Sequence, residues 1–260
     1  MFKFQKKINK NMFSGENLKE KKKKYYDKYK KINQAGTEEG ITAPNKMKLV
    51  LNMAKNLFRK QQKIKIADIG GTYFSFKLLK KYFPESEIWT ANIVKEQMKK
   101  CENAICEDIS NGISLKSQDF DFVFLGDVIE HFVEPEPPIK EINRILKNKG
   151  YFILTTPNLA SLANRFSLLF GFAPSNYHPS EIRYGTLFGK KQSSWHKSVF
   201  TVRAMKEFLE SFGFDIISNK GFSYQENKMI LLIDGLLPTN FKEGMVILAQ
   251  KTTKLNKKEN

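Results

Sequence analysis

From residue 63 onward the apolar positions fall into a repeating strand–turn–helix pattern. Ile64 to Ile69 is a short β-branched run that ends in Gly70-Gly71. Phe76 to Tyr82 reads as a helix, with Pro84 beyond its end. Glu87 to Ile93 and Ala104 to Cys106 read as a second and a third strand. Phe120 to Leu125 is apolar nearly throughout, as a strand covered on both faces should be. Ile139, Ile142, Ile145 and Leu146 recur at helical spacing. That spacing predicts a helix stopping at Gly150, with Lys147 and Lys149 in a last turn where cations suit the helix dipole. Tyr151 to Thr155 is a fifth strand. Strands and helices in this alternation predict an α/β protein with a mostly parallel sheet.

The flanks read differently. Upstream, Met47, Val50, Leu51, Ala54, Leu57 and Phe58 share one helical face, and Pro44 suits a first helical position, which predicts a helix over 44–60. Tyr25, Tyr26, Tyr29 and Ile32 suggest a short amphipathic helix within 18–33, and 37–44 reads as a loop. Downstream, 157–195 lacks clear strand signals. It carries a helix-like stripe of Leu159, Leu162, Phe166, Leu169 and Phe170. Core packing is its simplest explanation; a lid over a substrate and a membrane-touching helix are the alternatives. Thr201 to Phe212 reads as a helix, and Phe214 to Ser218 and Met245 to Gln250 as late strands. Too little chain separates those strands for a crossover helix, which predicts an antiparallel edge. The organisation expected is an N-terminal extension over 1–36, one α/β domain over 37–250 with a helical insert at about 157–195, and a tail over 251–260.

Composition narrows the class. With 260 residues, 41% of them hydrophobic, the chain can build a sizeable core. No apolar run reaches the length of a membrane-spanning helix, and the first residues lack the apolar stretch of a signal peptide. Cys101 and Cys106 make neither a disulfide framework nor a zinc site. A soluble protein of a reducing compartment, the cytoplasm, is the expectation. The formal charge of +17 is uneven: residues 1–31 hold 12 Lys against Glu16, Glu20 and Asp27, and 251–260 hold four Lys against Glu259. Such ends can attract an anionic membrane surface or nucleic acid. The bland alternative is a solvated Lys-rich terminus. It is favoured by the near-absence of Arg, the better phosphate clamp, of which the chain has five among its 44 basic residues.

In open α/β sheets ligands bind beyond the carboxyl ends of the strands. Those ends carry Asp68-Ile69-Gly70-Gly71-Thr72, Asn92, Glu107-Asp108-Ile109, Gly126-Asp127-Val128-Ile129-Glu130-His131 and Thr155-Thr156-Pro157-Asn158. Glycines let the backbone turn tightly and approach a ligand, and the following helix offers free N–H groups. Asn92 is placed to accept from a ribose. Together these tips describe one cleft.

The order IADIGG, CEDIS, GDVIEHF, EINRILKNKGYFILTTPNLAS resembles the class I S-adenosylmethionine-dependent methyltransferases, over about residues 64–250. The resemblance is nearest to the branch of ubiquinone-biosynthesis and sugar or secondary-metabolite O-methyltransferases, with Trp195-His196, Phe200-Thr201 and Gly213-Phe214 in keeping. It implies a Rossmann-like three-layer sandwich around a seven-stranded, mostly parallel sheet whose last strand is antiparallel. It also implies S-adenosyl-L-methionine as cofactor. Asp68, Gly70 and Gly71 would hold its methionine part. Asn92 would stand at the ribose, where the family usually has an acid, Asp108 with Ile109 would stand at the adenine, and Asp127 beneath the sulfonium. Glu130-His131 matches the family's EH pair.

Thr72 and Phe74 replace glycines of that pattern, and Phe74 would crowd the cofactor. A hydroxyl acceptor needs a base; His131 is the first candidate and His196 the second. His178, the other histidine, reads as structural or surface-exposed. Asp127, Glu130 and His131 could ligate a metal, but no metal site is assigned on three residues. A small molecule, a sugar or glycan, or a lipid-like acceptor fits the resemblance. The alternatives are an RNA-modifying methyltransferase gripping phosphates through the basic termini, and a catalytically degenerate scaffold.

Overall fold

The computed structural model describes residues 44–61, 63–178, 184–187, 195–224 and 236–252. The helix expected within 18–33, the loop before residue 44 and most of the basic tail lie outside them.

Helix α1 (Pro44–Leu57) is followed by β1 (Lys65–Ile69), α2 (Tyr73–Tyr82), β2 (Glu87–Ala91), β3 (Asn103–Ile105), β4 (Phe120–Gly126), α3 (Glu136–Ile145) and β5 (Leu146–Pro157). Then come α4 (Leu162–Leu169), α5 (Val202–Ser211), β6 (Phe214–Phe222) and β7 (Gly244–Lys251). The seven strands form one sheet in the order β3-β2-β1-β4-β5-β7-β6. The first five are mutually parallel, and β7 is antiparallel to both neighbours. The late antiparallel pairing therefore lies inside the sheet. The edge strand β6 runs with the first five.

Burial explains the apolar runs. Phe120, Phe122, Leu125, Phe152, Ile153 and Leu154 are fully buried in the central strands. The inner face of α1 (Met47, Val50, Leu51, Ala54, Phe58) joins a cluster with Ile66, Leu79, Phe122 and Val246. Each such side chain contributes roughly 1.5–3 kcal/mol relative to exposure. Local chemistry sets the helix starts. Thr72 caps α2 in a reciprocal box with Ser75, the Thr72 hydroxyl accepting from Ser75 N and the Ser75 hydroxyl from Thr72 N. Thr201 caps α5 by accepting from Ala204 N.

Two expectations are corrected. The helix that was to stop at Gly150 ends at Ile145, because Leu146 already takes an extended conformation (φ −67°, ψ 138°). Strand β5 begins there, and Lys149 turns left-handed at φ 61°. The apolar stripe of 159–172 is not core. Helix α4 buries Asn164 and Ser167 and exposes Leu162, Phe166 and Leu169. The Asn164 amide donates to Asn158 O, Leu159 O and Asn176 Oδ1 and accepts from Ser175, so the helix is seated by a polar network.

Candidate functional site

The carboxyl end of β1 carries a buried acid beneath a tight loop. Asp68 is 1% exposed, and burial pushes its carboxyl up to about 7, against a hydrogen bond from Ser75 that favours the charged form. Ser75 Oγ donates to Asp68 Oδ2 at 2.6 Å. Asp68 Oδ1 is buried with no hydrogen-bond partner in the protein, a costly state for a carboxyl oxygen unless a ligand donates to it. Gly70 has φ 73° and donates its N–H to Ala91 O at 2.7 Å. A Cβ there would lie 2.3 Å from Val128 Cγ2, and one on Gly71 would lie 2.1 Å from Asp68 Oδ2. Both glycines are required by space, and Gly70 also by conformation.

Asn92, at the tip of β2, is 9% exposed and belongs to this loop. Its Nδ2 donates to Gly71 O (2.8 Å), Gly70 O (3.2 Å) and Gln97 Oε1 (3.0 Å), and its Oδ1 accepts from Val94 N (2.9 Å). Asn92, expected at the ribose, also tethers the glycine loop, a task a carboxylate could not perform because it cannot donate. Phe74 is 38% exposed. Thr72, in a family glycine position, serves as the helix cap. At β3, Asp108 caps the turn Ile109–Asn111, accepting from Ser110 N and Oγ and from Asn111 Nδ2. A carboxylate has about four acceptor sites, so it retains room for one more donor. Ile109 beside it is buried.

Strand β4 ends in Asp127, left-handed at φ 52° and held by Asp127 N to Thr155 O (2.9 Å) and Thr155 Oγ1 to Asp127 Oδ1 (2.7 Å). Lys46 of α1 pairs with Asp127 Oδ2 at 2.5 Å, the lysine side chain 8% exposed. Tyr224 lies near Asp127, and burial followed by the charges of Asp127, Glu130 and Glu243 pushes its pKa well up. Sequence reasoning missed Lys46 and Tyr224. Lys46 sits beside Met47 on a face read as apolar, and nothing local singles out Tyr224.

The turn Ile129–His131 carries the second half of the site. Glu130 is 1% exposed; burial first and the Asp127 charge second push its carboxyl well above the usual range. Its Oε2 accepts from Thr156 Oγ1 at 3.0 Å. Its backbone carbonyl accepts from Lys197 N and Ser198 N, which pins the segment carrying His196 to the β4 turn. The rings of His131 and His196 lie 5.0 Å apart, and those of His178 and His196 5.3 Å apart. The structure thus gathers all three histidines of the chain, including the one assigned no role. His178 is 2% exposed and its Nε2 meets Ser175 O at 2.8 Å. His131 is lowered to about 4, chiefly by burial, and is neutral at neutral pH. Glu130, His131 and His196 each offer a ligand atom within 4.8 Å of the others. One carboxylate and two imidazoles suit a divalent ion such as Zn²⁺ or Mn²⁺. Asp127, engaged by Lys46 and Thr155, stands outside that set.

The two halves touch where Val128 overlies Gly70. The turn that carries Glu130 and His131 is thus preceded by a residue packed on the glycine loop.

Residues 67–154 match the family model described as a methyltransferase domain. An uncharacterised protein of Methanocaldococcus jannaschii is 30% identical over 151 residues, 54% of this chain. The match spans 62% of that relative's length. Among solved structures, an S-adenosylmethionine-dependent methyltransferase from Archaeoglobus fulgidus aligns with TM-score 0.52 at 19% identity, covering 79% of this chain and 94% of the other. One from Clostridium acetobutylicum aligns with TM-score 0.54 at 16% identity, covering 88% and 98%. Those structural likenesses establish a shared fold. The family match over residues 67–154 is to a methyltransferase domain, and the fold is the one those methyltransferases share.

Proposed function

We propose that this chain is a class I methyltransferase that transfers the methyl group of S-adenosyl-L-methionine to a hydroxyl oxygen of a small-molecule, sugar or glycan, or lipid-like acceptor. The observation that supports the reading is the Glu130–His131–His196 cluster at the turn after β4, a turn that Val128, packed on Gly70, precedes. The residues fit the cofactor. The unpartnered buried oxygen of Asp68 can accept from its ammonium group, Gly70 and Gly71 let its chain lie close, and Asp108 has acceptor capacity for the adenine amine.

Methyl transfer is an in-line displacement in which the carbon–sulfur bond breaks as the oxygen–carbon bond forms. The cofactor, when bound, supplies the methyl group and a neutral thioether leaving group. The protein aligns the acceptor and takes its proton. An efficient base has a pKa near the working pH, and His131 at about 4 is too weak for that task. Its neutral ring holds the acceptor by a hydrogen bond, and the proton passes to His196. The same carboxylate and imidazoles can hold a divalent ion, which would polarise the acceptor oxygen. Lys46 fixes Asp127 against the Thr155 hydroxyl and keeps the floor of the cleft rigid.

The test has two arms. Calorimetry with S-adenosylhomocysteine reads binding; absence of heat overturns the cofactor reading. Transfer of a labelled methyl group to a panel of hydroxylated acceptors reads the reaction. His196→Ala should lower turnover by about 10²–10³ while leaving S-adenosylhomocysteine affinity within roughly twofold. Equal loss of both, or of neither, overturns the role of His196.

A further inference from the structure

We propose that the cleft end of this molecule docks on an anionic lipid bilayer through α4 and the turn that follows it. Helix α4 is polar inside and apolar outside. Leu162, Phe166 and Leu169 are 46%, 49% and 77% exposed at helical spacing, and Leu168, Phe170 and Phe172 extend the patch at 56%, 58% and 38%. Exposed apolar surface of this extent is uncommon on a soluble protein and marks an interaction face. A lid would turn the stripe toward the cleft. Here the inward side is taken by Asn164 and Ser167, and the Asn164 network fixes that orientation.

A second apolar segment reaches the same end of the sheet. Helix α4 leaves the carboxyl end of β5, and β7, antiparallel to β5, starts beside it, with Pro157 opposite Gly244. The residues just before β7 include Leu236, 84% exposed, in the sequence LLPTNF. Asn158 Nδ2 donates to Asn240 O and Lys242 O, and the Arg165 guanidinium lies over the Phe241 ring at 4.8 Å, which ties the two segments into one face. The exposed Leu236 thus lies on a segment bonded to the one that leads into α4.

Charge selects the occupant. A second copy of a chain carrying +17 is repelled, whereas an anionic bilayer attracts it. The excess is Lys, concentrated within 1–31 and 251–260, and diffuse attraction to headgroups needs no planar clamp. Among the described residues no helix is long and apolar enough to cross a membrane, so the mode is interfacial.

The full-length protein is sedimented with vesicles of phosphatidylcholine alone and of phosphatidylcholine with phosphatidylglycerol, at low and high salt. Binding should require phosphatidylglycerol and weaken with salt. Leu169→Glu with Phe170→Glu, at highly exposed positions, should lower partitioning by about tenfold or more with unchanged circular dichroism and melting temperature. Unaltered partitioning of that variant overturns the role of α4. Sedimentation as a dimer with no vesicle binding also overturns the proposal, in favour of a second copy. The readout is independent of methyl transfer, so its failure leaves the enzymatic reading intact.

Discussion

On the proposed reading, in which Asp68 accepts from the cofactor's ammonium group, Asp68 couples cofactor binding to pH. Its carboxyl is raised to about 7 by burial, so the folded, ligand-free protein holds a proton that an unfolded chain releases near pH 4. The sign follows: as pH rises from about 4 to about 7, this group lowers the stability of the ligand-free fold. A bound ammonium group favours the ionised form. Binding of S-adenosylhomocysteine below neutrality should therefore release a proton, and affinity should rise with pH and level off above about 7. Calorimetry in buffers of different ionisation heat reads that proton directly. Asp68→Asn should abolish both the release and the slope, and a slope that survives the substitution would show that another group is responsible. The residue was visible in the sequence as the acid before Gly70-Gly71. Its orphaned oxygen and its displaced pKa were not, because both arise from the depth at which β1 lies between β2 and β4.

At the scale of elements, the strands and most helices were legible because buried parallel strands leave continuous apolar runs and one-sided helices leave a 3.6-residue period. The errors fall where local pattern and tertiary placement diverge. Leu146 extends the apolar spacing of α3 but leads β5, since the chain must reverse before Tyr151 pairs with Phe122. The stripe of α4 has core periodicity yet faces solvent, and periodicity alone cannot say which side a helix buries. Asn92 is the instructive case. Read as a ribose position it looks like a weakened acid, and in the fold its amide also clamps the tip of β2 to the β1–α2 loop. Asn92→Asp distinguishes the two views. An acid at a ribose site would tighten S-adenosylhomocysteine binding. Here the substitution removes the donor to two carbonyls and sets a carboxylate against them, at a cost of about 1–3 kcal/mol. The variant should bind S-adenosylhomocysteine about tenfold more weakly and melt at a lower temperature. Tighter binding would favour the ribose assignment.

At the scale of the whole molecule, the site is assembled from distant parts of the chain. Lys46 comes from the helix before the sheet, Glu130 and His131 from the β4 turn, His178 and His196 from the insert, and Tyr224 from beyond β6. Sequence order showed the β4 contribution and hinted at His196, and it could not show that the insert folds back so that Lys197 and Ser198 bond Glu130 O. That closure has a thermodynamic consequence. A divalent ion held by Glu130, His131 and His196 would bridge insert and sheet and bind only the folded state, so it must raise the melting temperature. Mn²⁺ or Zn²⁺ at about 100 times its dissociation constant supplies roughly 2.7 kcal/mol, equivalent to a rise of a few degrees. Glu130→Gln and His196→Ala should each abolish the shift, while Cys106→Ser, at an exposed thiol, should leave it unchanged. A rise that persists in both site variants would move the ion elsewhere. No rise in the parent protein would leave the cluster as a proton-transfer and hydrogen-bonding device, with burial pushing the Glu130 carboxyl well above the usual range and His131 down to about 4.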